Sequence, residues 1–454
     1  MKNNGDFGNG SIAKNILKLA IPMTIAQIIN LLYNMVDRIY IGRIPEIGTL
    51  ALTGLGLCFP IIMIVTAFTN LFSTGGAPLF SIERGRGNVE EAQRIMGNSF
   101  LMMILSGILL TIIGILFQKP ILYLFGASNA TYPFAKSYIT IYLLGNIFVM
   151  ISLGMNSFIN AQGYAKTGML TALFGAGVNI ILDPIFIFYF NMGVKGAATA
   201  TVISQFLSSL WVMHFLIGKK AIIKLTKESM ILNLKRIKRI VTLGMSGFIM
   251  SITNSIVQIV CNATLQVYGG DLYVGVMTVL NSIREIFTMP VSGLTDGATP
   301  IMSYNYGAGK YNRLKKAMIF MSVTCIIYTF IAWLIIIEFP DIFIKIFNHD
   351  AMLIAKSIPA IEIYFFGFFM MALQFAGQRI FVSLGKAKHA VFFSIFRKVI
   401  IVAPLTVILP KIFSLGVDGV FLAEPISNFI GGIACFLTML LTVLPEIKED
   451  KNKL

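Results

Sequence analysis

Polar side chains recur at helical spacing inside two apolar stretches of this chain. In the first stretch they stand three, four and three residues apart, at Gln27, Asn30, Asn34 and Asp37. In the second stretch, 224 residues later, the matching positions are Ser251, Asn254, Gln258 and Cys261. Because this spacing places side chains on one helix face, each stretch predicts a helix that lines a wet, substrate-binding cavity. Only the first set ends in a carboxylate, so acidic chemistry is expected in the first half alone.

A second acidic group is predicted to lie close to Asp37. Asn179 and Asp183 are four residues apart on one helix face, and Pro184 follows directly. Proline frees a backbone carbonyl in the preceding turn, and Thr201 lies at a similar depth on the next predicted helix. Two charged carboxylates in an apolar pocket are unfavourable in free energy, so the pair would share a proton or bind a cation. We therefore predict that Asp37, Asn179, Asp183 and Thr201 bind a coupling ion, either H⁺ or, with the same four residues as metal ligands, Na⁺.

The residues leave a structural alternative for this acidic pair. Asp37 could lie near the membrane interface and pair with Arg38 or Arg43, while Asp183 only satisfies the kink beside Pro184. Charges are costly in hydrocarbon, so an acidic residue within a span is functional by default. The functional interpretation is therefore preferred.

A different set of charges lies in the second half of the chain. Its members fall within predicted helices and are Arg284, Glu285, Glu362, Arg397 and Glu424. Two arginines among three glutamates indicate internal ion pairs, since unpaired charges in hydrocarbon are costly. The alternative is that Glu285 or Glu424 meets a cationic substrate, and Glu285 is included among the predicted substrate-cavity residues.

The elements that must position these residues occur twice. Residues 78–87 (PLFSIERGRG) reappear as residues 300–309 (PIMSYNYGAG), and residues 163–166 (GYAK) return as residues 385–388 (GKAK). Ordered matches at a nearly constant shift mean two copies of one structural unit. In a membrane protein, such internal repeats indicate a transporter.

The composition is that of a membrane protein. Hydrophobic residues make up 56% of the chain and charged residues 12%, against about 25% charged in soluble proteins. Spans of roughly 20 apolar residues can be placed about twelve times, six in each half. An even number per half makes the repeats parallel. The prediction is an all-α membrane protein with a first lobe at 1–217, a cytoplasmic linker at 218–237 and a second lobe at 238–454.

The net charge of +16 reflects topology rather than a nucleic-acid partner. Lysine and arginine concentrate in segments predicted to face the cytoplasm, above all in the linker 218–237. This positive-inside bias places both termini in the cytoplasm of a multi-pass plasma (inner) membrane protein. No nucleic acid is expected as a partner, and a monomer is expected.

The sequence lacks a reaction motif. It contains no HExxH and no Gly-x-Ser-x-Gly sequence, and the segment GAGK at 307–310 lacks the spacing of a phosphate loop. An enzyme and a cofactor are therefore not expected, and any pumping would have to use an ion gradient. A channel is disfavoured because nothing resembles a selectivity filter.

Together these residues resemble a known family. The run NMVDRIYIGR at 34–43, the Asn179…Asp183-Pro184 group and the duplicated Pro-x-x-Ser-x-x-x-Gly-x-Gly loop resemble the multidrug and toxic compound extrusion (MATE) family. The likeness is strongest to its bacterial DinF/MepA-type branch. It implies twelve transmembrane helices in a V-shaped pair of six-helix lobes, which export cationic lipophilic compounds in exchange for H⁺ or Na⁺.

The resemblance also implies where the ion binds. In the DinF/MepA-type branch, coupling is associated with a first-lobe network that maps here onto Asp37, Asn179, Asp183 and Thr201. The NorM-type branch instead uses acidic residues on helices 7 and 10. Helix 7 has none here and Glu362 is only a loose candidate on helix 10, so a first-lobe scheme is favoured.

Two other functions stay open at this point. One is a lipid-linked oligosaccharide flippase of the same wider superfamily, which should have a cationic cavity for a pyrophosphate and usually extra helices. The other is a non-transporting membrane sensor or scaffold, which would leave the carboxylates within the spans unexplained.

Overall fold

The computed structural model describes residues 6–347 and 350–452, and within these ranges all regular structure is helical. Helices satisfy their own backbone hydrogen bonds, as an apolar solvent demands. Local signals set several helix starts. Asn88 caps one helix by accepting a hydrogen bond from the backbone nitrogen of Glu91 at 3.1 Å, and Asp350 caps another through Leu353 at 2.8 Å.

The described residues of the first half form nine α-helices. They are α1 (Ile12–Gly42), α2 (Gly48–Gly85), α3 (Val89–Leu116), α4 (Gln118–Leu124), α5 (Tyr132–Leu144), α6 (Asn146–Met150), α7 (Asn156–Ala161), α8 (Ala165–Pro184) and α9 (Val194–Ile217). Two π-helical segments occur among them, at Ile151–Met155 and Ile185–Tyr189. A short 3₁₀ turn, Glu228–Met230, precedes the second half.

The second half, apart from residues 348–349 and 453–454, contains eight more α-helices. They are α10 (Leu234–Gly307), α11 (Tyr311–Glu338), α12 (Pro340–Phe347), α13 (Ala351–Tyr364), α14 (Met371–Ser383), α15 (Ala387–Ile395), α16 (Ala403–Ile408) and α17 (Val417–Asn452). The chain is π-helical at Phe396–Val402 and 3₁₀-helical at Phe368–Met370 and Leu409–Ser414.

The expected number of spans is present in the described part of the chain. Nine helices there are long and apolar enough to cross a membrane, and two bent pairs raise the number to eleven. One of the nine, α10, has 74 residues and would be about 110 Å long at 1.5 Å per residue. That length is far beyond one bilayer, and Gly270 breaks the helix with a φ of 66°, a conformation that favours glycine. The two arms of α10 therefore count as two spans, which gives twelve.

The chain forms two compact units. The first unit contains Pro22–Gly244, and the second combines Phe7–Ile21 with the chain from Met245 onwards. Residues 218–237, expected as a linker, pack with the first unit, and the beginning of α1 packs with the second. The expected lobes thus differ from the compact units at both of these places.

Hydrogen bonds and ion pairs hold the 218–237 segment in the first unit. Asn98 on α3 donates to the backbone oxygen of Ser229 at 3.1 Å and to that of Ile231 at 2.9 Å. Arg236 then forms a two-point contact with Glu91, at 2.7 and 3.0 Å. Such paired contacts fix an arginine in one geometry, so this segment is a structural part of the unit.

Small residues let helices approach closely in the first unit. A Cβ at Gly244 would lie 1.7 Å from the backbone oxygen of Leu71, and one at Gly75 would lie 2.1 Å from that of Ile240. Close backbone packing of this kind holds helices together in lipid, because contact between apolar side chains alone contributes little free energy to helix association there. In the second unit, a buried cluster that includes Leu280, Ile336 and Phe421 forms the core.

Candidate ion-coupling site

Three helices of the first unit supply the predicted ion-coupling residues. Asp37 lies near the end of α1, Asn179 and Asp183 lie near the end of α8, and Thr201 lies in α9. All four side chains are buried, with Asp183 fully enclosed and Asp37 only 7% exposed. Buried carboxyl groups need partners, so the contacts of the pair define the site.

The two carboxyl groups face each other. Asp37 and Asp183 lie within hydrogen-bonding range of one another. A carboxylate only accepts hydrogen bonds, so a hydrogen bond between the two groups would need one of them to hold a proton. Oδ1 of Asp37 is buried and has no hydrogen-bond partner among the described residues. The pair can therefore hold a proton, and it offers an unused oxygen to a cation.

Asn179 connects this pair to Thr201. With its amide nitrogen turned towards Asp183, Asn179 donates to Oδ2 of Asp183 at 3.0 Å and accepts from the backbone nitrogen of Thr201 at 3.3 Å. The structure thus brings all four predicted residues together in one cluster. Among the described residues, no group of three or more His, Cys, Asp or Glu could hold a metal ion, so a Na⁺ here would need the neutral oxygens of Asn179 and Thr201.

The proline after Asp183 marks a change in helix geometry. Helix α8 ends at Pro184 and continues as the π-helical segment Ile185–Tyr189. Widened turns of this kind occur frequently at functional sites. The irregular backbone expected beside Asp183 is therefore present, as a π-helical segment.

Several residues around the pair were missed by the sequence reasoning. Tyr33 lies close enough to Gln205 and to Asp37 to interact electrostatically with both. Tyr138, which also interacts with Asp37, stacks on Tyr142 with 6.3 Å between ring centres, and both rings are buried. Tyr33 precedes Asp37 by four residues and Gln205 follows Thr201 by four, so helical spacing could have identified these two. No comparable signal marks Tyr138 or Tyr142.

The predicted cavity residues of the first unit differ in how exposed their side chains are. Asn34 is exposed, Gln27 and Asn30 are partly buried, and Asp37 is enclosed. The amide nitrogen of Asn34 donates to the backbone oxygen of Asn30 at 2.7 Å. Amide groups of this face are therefore open to a ligand, whereas Asp37 is turned towards α8.

The matching face of the second unit is similar in exposure. Asn254 and Gln258 are exposed and Ser251 is partly buried. The fourth position, Cys261, is buried, and its sulfur lies 3.7 Å from the hydroxyl oxygen of Thr406. This half thus ends in a thiol and hydroxyl contact where the first unit has a carboxyl pair.

The charges of the second unit form the expected internal ion pairs around Glu424. Arg284 contacts this carboxylate at 2.7 Å, and Arg397 forms a closer pair with it. A third cation, Lys398, was not singled out from the sequence and lies 3.5 Å from the same carboxylate. Glu285 and Glu362 are exposed and lie outside this cluster.

Comparison with known proteins supports the duplicated architecture. A family model described as MatE matches the chain twice, at residues 22–185 and 247–408. The two matches fall in the two halves that share the internal repeat.

Curated relatives match over nearly the whole chain. The multidrug export protein MepA of Staphylococcus saprophyticus is 24% identical over 450 residues, which cover 99% of this chain and 98% of the relative. The protein of the same name from Staphylococcus haemolyticus is 23% identical and covers 93% of each chain.

Solved structures show the same fold. A multidrug resistance MATE family transporter of the MOP superfamily, in an outward-facing conformation, superimposes with a TM-score of 0.91 at 23% identity, over 100% of this chain and 99% of the other. A MOP superfamily transporter from Pyrococcus furiosus, described as having a binding pocket of reverse polarity, matches with a TM-score of 0.91 at 23% identity, over 99% of each chain. With both halves matched by the family model and the whole fold shared with MATE structures, the chain belongs to the MatE family, a family of membrane transporters.

Proposed function

We propose that this protein is a secondary active multidrug exporter that exchanges cationic lipophilic compounds for H⁺, or for Na⁺. The observation that carries the proposal is the buried contact between Asp37 and Asp183. Membership of the MatE family and the names of the relatives favour export over the flippase and sensor alternatives. The protein is proposed to act without enzymatic chemistry or a bound cofactor.

The carboxyl pair supplies the coupling step. While one proton is shared, the pair carries a single negative charge and α1 can lie against α8. Loss of that proton leaves two charges in an apolar site, which repel each other by about 4 kcal/mol if they are about 4 Å apart at an effective dielectric constant of about 20. The repulsion favours a different packing of α1, and a bound cation would relieve it as the proton does. Ion and drug then exclude each other, and the effect is reciprocal.

Substrate contacts are assigned to one polar face in each unit. On the first unit they are Gln27, Asn30 and Asn34, and on the second they are Ser251, Asn254, Gln258 and Glu285. The exposed amides of Asn34, Asn254 and Gln258 can hydrogen-bond to varied ligands, and the exposed carboxylate of Glu285 suits a positive charge. The substrates are therefore proposed to be cationic amphiphiles.

The same reasoning extends to placement in the cell. The positive-inside bias supports a plasma membrane protein with both termini in the cytoplasm, and we propose that it works as a monomer. A carboxyl pair alone suffices to bind a proton, so H⁺ is favoured as the coupling ion.

Transport by purified protein in proteoliposomes tests the proposal. Uptake or release of a fluorescent lipophilic cation is measured with a pH gradient or a sodium gradient imposed separately. We expect the pH gradient to drive transport, and we expect Asp183→Asn to abolish it because the amide cannot exchange a proton. Glu362→Gln is the matched control, since it makes the same chemical change at an exposed site of the second unit. Full transport by Asp183→Asn, or transport that neither gradient drives, would reject the proposal.

A further inference from the structure

Positive groups outnumber negative groups in the cluster of ion pairs around Glu424. Three cationic side chains, Arg284, Arg397 and Lys398, all direct their salt bridges to this single carboxylate. In the part of the chain that the structure describes, none of the three has a salt bridge to any other acidic group. With all groups ionised, the cluster carries two excess positive charges.

Burial makes this excess costly. Arg397 is 5% exposed, Lys398 7% and Glu424 5%. Charged groups taken out of water need a compensating charge and hydrogen bonds, or the cluster is strongly destabilising. The neighbouring partners are neutral: Arg397 donates to Oδ1 of Asn428 at 2.7 Å, and Arg284 donates to the hydroxyl of Tyr364 at 3.0 Å. Neutral acceptors satisfy donors but do not cancel the charge.

One strong donor in the cluster is also left unused. The Nε of Arg397 is buried and has no hydrogen-bond partner among the described residues. A buried, unsatisfied donor is rare in native proteins and calls for an acceptor. Lys398 offers further donors. Its ammonium group has three N–H donors, and its salt bridge to Glu424, at 3.5 Å, does not use all of them. Arg397 and Lys398, which are adjacent in the sequence, therefore supply both the unused hydrogen-bond donors and the excess positive charge.

The backbone explains why both residues point inward. Successive residues of a regular α-helix are about 100° apart around the axis, so two neighbours rarely share one small pocket. Arg397 and Lys398 lie instead in the π-helical segment Phe396–Val402, whose wider turn is typical of functional sites. Arg284, with a side chain 20% exposed, lies on the more accessible side of the cluster.

The cluster occupies the repeat-related position of the candidate ion-coupling site. Applying the repeat shift of 222 to 224 residues, Cys261 corresponds to Asp37, Thr406 to Asp183, Glu424 to Thr201 and Tyr364 to Tyr142. The contact between Cys261 and Thr406 thus repeats the contact between the two carboxyl groups of the first unit. The same framework carries acidic groups in one unit and an excess of cations in the other.

We propose that this cluster binds one small anion at Arg397 and Lys398, beside Glu424. The anion is either chloride or the carboxylate of an amphiphilic compound. Arginine is the side chain best suited to a buried carboxylate, and an anion would also supply the acceptor that Nε of Arg397 lacks. One bound anion halves the excess charge of the cluster.

Titration calorimetry on the purified full-length protein tests this without any transport assay. Sodium chloride and sodium benzoate are titrated separately in a chloride-free HEPES buffer. We expect saturable binding of one anion per chain, and we expect chloride to weaken benzoate binding because both use one site. Binding of chloride alone identifies an inorganic ion site, and tighter binding of benzoate identifies a carboxylate site. Absence of saturable binding in the wild type, or binding of both anions without competition, overturns the proposal.

Variants locate the site. Lys398→Met should weaken anion binding by about tenfold or more, whereas Glu424→Gln, which removes the competing carboxylate, should tighten it by about tenfold. Lys386→Met is the matched control, because Lys386 pairs with Glu446 outside the cluster and its loss should leave anion affinity unchanged. Equal effects of Lys398→Met and Lys386→Met would also overturn the proposal. If a cluster variant does not fold, the wild-type competition experiment still decides.

Discussion

Replacement of Asp37 by asparagine is expected to remove the pH dependence of drug binding. In the wild type, Asp37 and Asp183 lie close together, and a hydrogen bond between them would need a shared proton. If a bound cationic drug displaces that proton, drug affinity must rise with pH, because proton and drug oppose each other. For one linked proton, the rise is at most about tenfold per pH unit.

The size of the effect follows from the repulsion between the two carboxylates. At about 4 Å and an effective dielectric constant of about 20, this repulsion is about 4 kcal/mol. That free energy corresponds to about a thousandfold in the binding constant of the proton that relieves it. Asp37→Asn removes one charge permanently, while its amide can still hydrogen-bond to Asp183. The single remaining carboxylate then has no comparable drive to take up a proton near neutral pH.

The assay is a fluorescence titration of the purified protein with a lipophilic cation across neutral pH. Wild-type affinity should rise with pH, and the slope for Asp37→Asn should be close to zero. Cys261→Ala is the control, since Cys261 is the buried repeat equivalent of Asp37 and its loss should leave the wild-type slope. An unchanged slope in Asp37→Asn, or an equal loss in Cys261→Ala, would refute the reasoning.

Two more predictions concern the helix packing of the first unit and the surroundings of the carboxyl pair. Gly244→Ala should lower the free energy of unfolding by about 3 kcal/mol, because its Cβ would lie 1.7 Å from the backbone oxygen of Leu71. Gly56→Ala, a control within α2 with nothing within 4 Å of the added atom, should melt at or slightly above the wild-type temperature, because alanine favours a helix more than glycine does. Equal melting temperatures for Gly244→Ala and Gly56→Ala would contradict this. Tyr33→Phe removes the hydroxyl that interacts with Gln205 and Asp37, and it should slow vesicle transport about fivefold while keeping its pH dependence. A flat pH profile would instead make Tyr33 part of the proton site.

Much of the fold and part of the site can be predicted from the sequence. Helical periodicity, the repeated loops and the low charge content are local or compositional signals, and they suffice for twelve spans in two copies. The cluster of Asp37, Asn179, Asp183 and Thr201 is predictable because acidic and amide side chains are rare in apolar helices. The sequence alone does not identify the coupling ion, since the same oxygens suit a proton or a sodium ion.

The features that were missed depend on tertiary geometry. Tyr138 and Tyr142 look like ordinary aromatic residues in an apolar helix, and only packing brings Tyr138 close to Asp37. Lys398 follows Arg397 directly, and neighbours on a regular helix are not expected to face one pocket. The π-helical segment Phe396–Val402 brings them together, and spacing rules for α-helices do not anticipate it.

The contacts of the 218–237 segment also could not be predicted from the sequence. A basic, polar stretch between two halves is typical of a linker, yet it is held in the first unit by Asn98 and by the pairing of Arg236 with Glu91. These partners are more than a hundred residues away in the sequence. A pattern read along the chain cannot register such long-range contacts.

Helix α1 belongs to both compact units, and this has a mechanical consequence. Residues up to Ile21 pack with the second unit and residues from Pro22 onwards with the first, while α10 changes units between Gly244 and Met245. Both changes occur within helices rather than in loops. Any rearrangement of the chain at these two places must therefore change the path of a helix, because no loop is present there to absorb it. Pro22 lacks a backbone N–H, so α1 can flex at its change of unit without breaking a hydrogen bond at that residue.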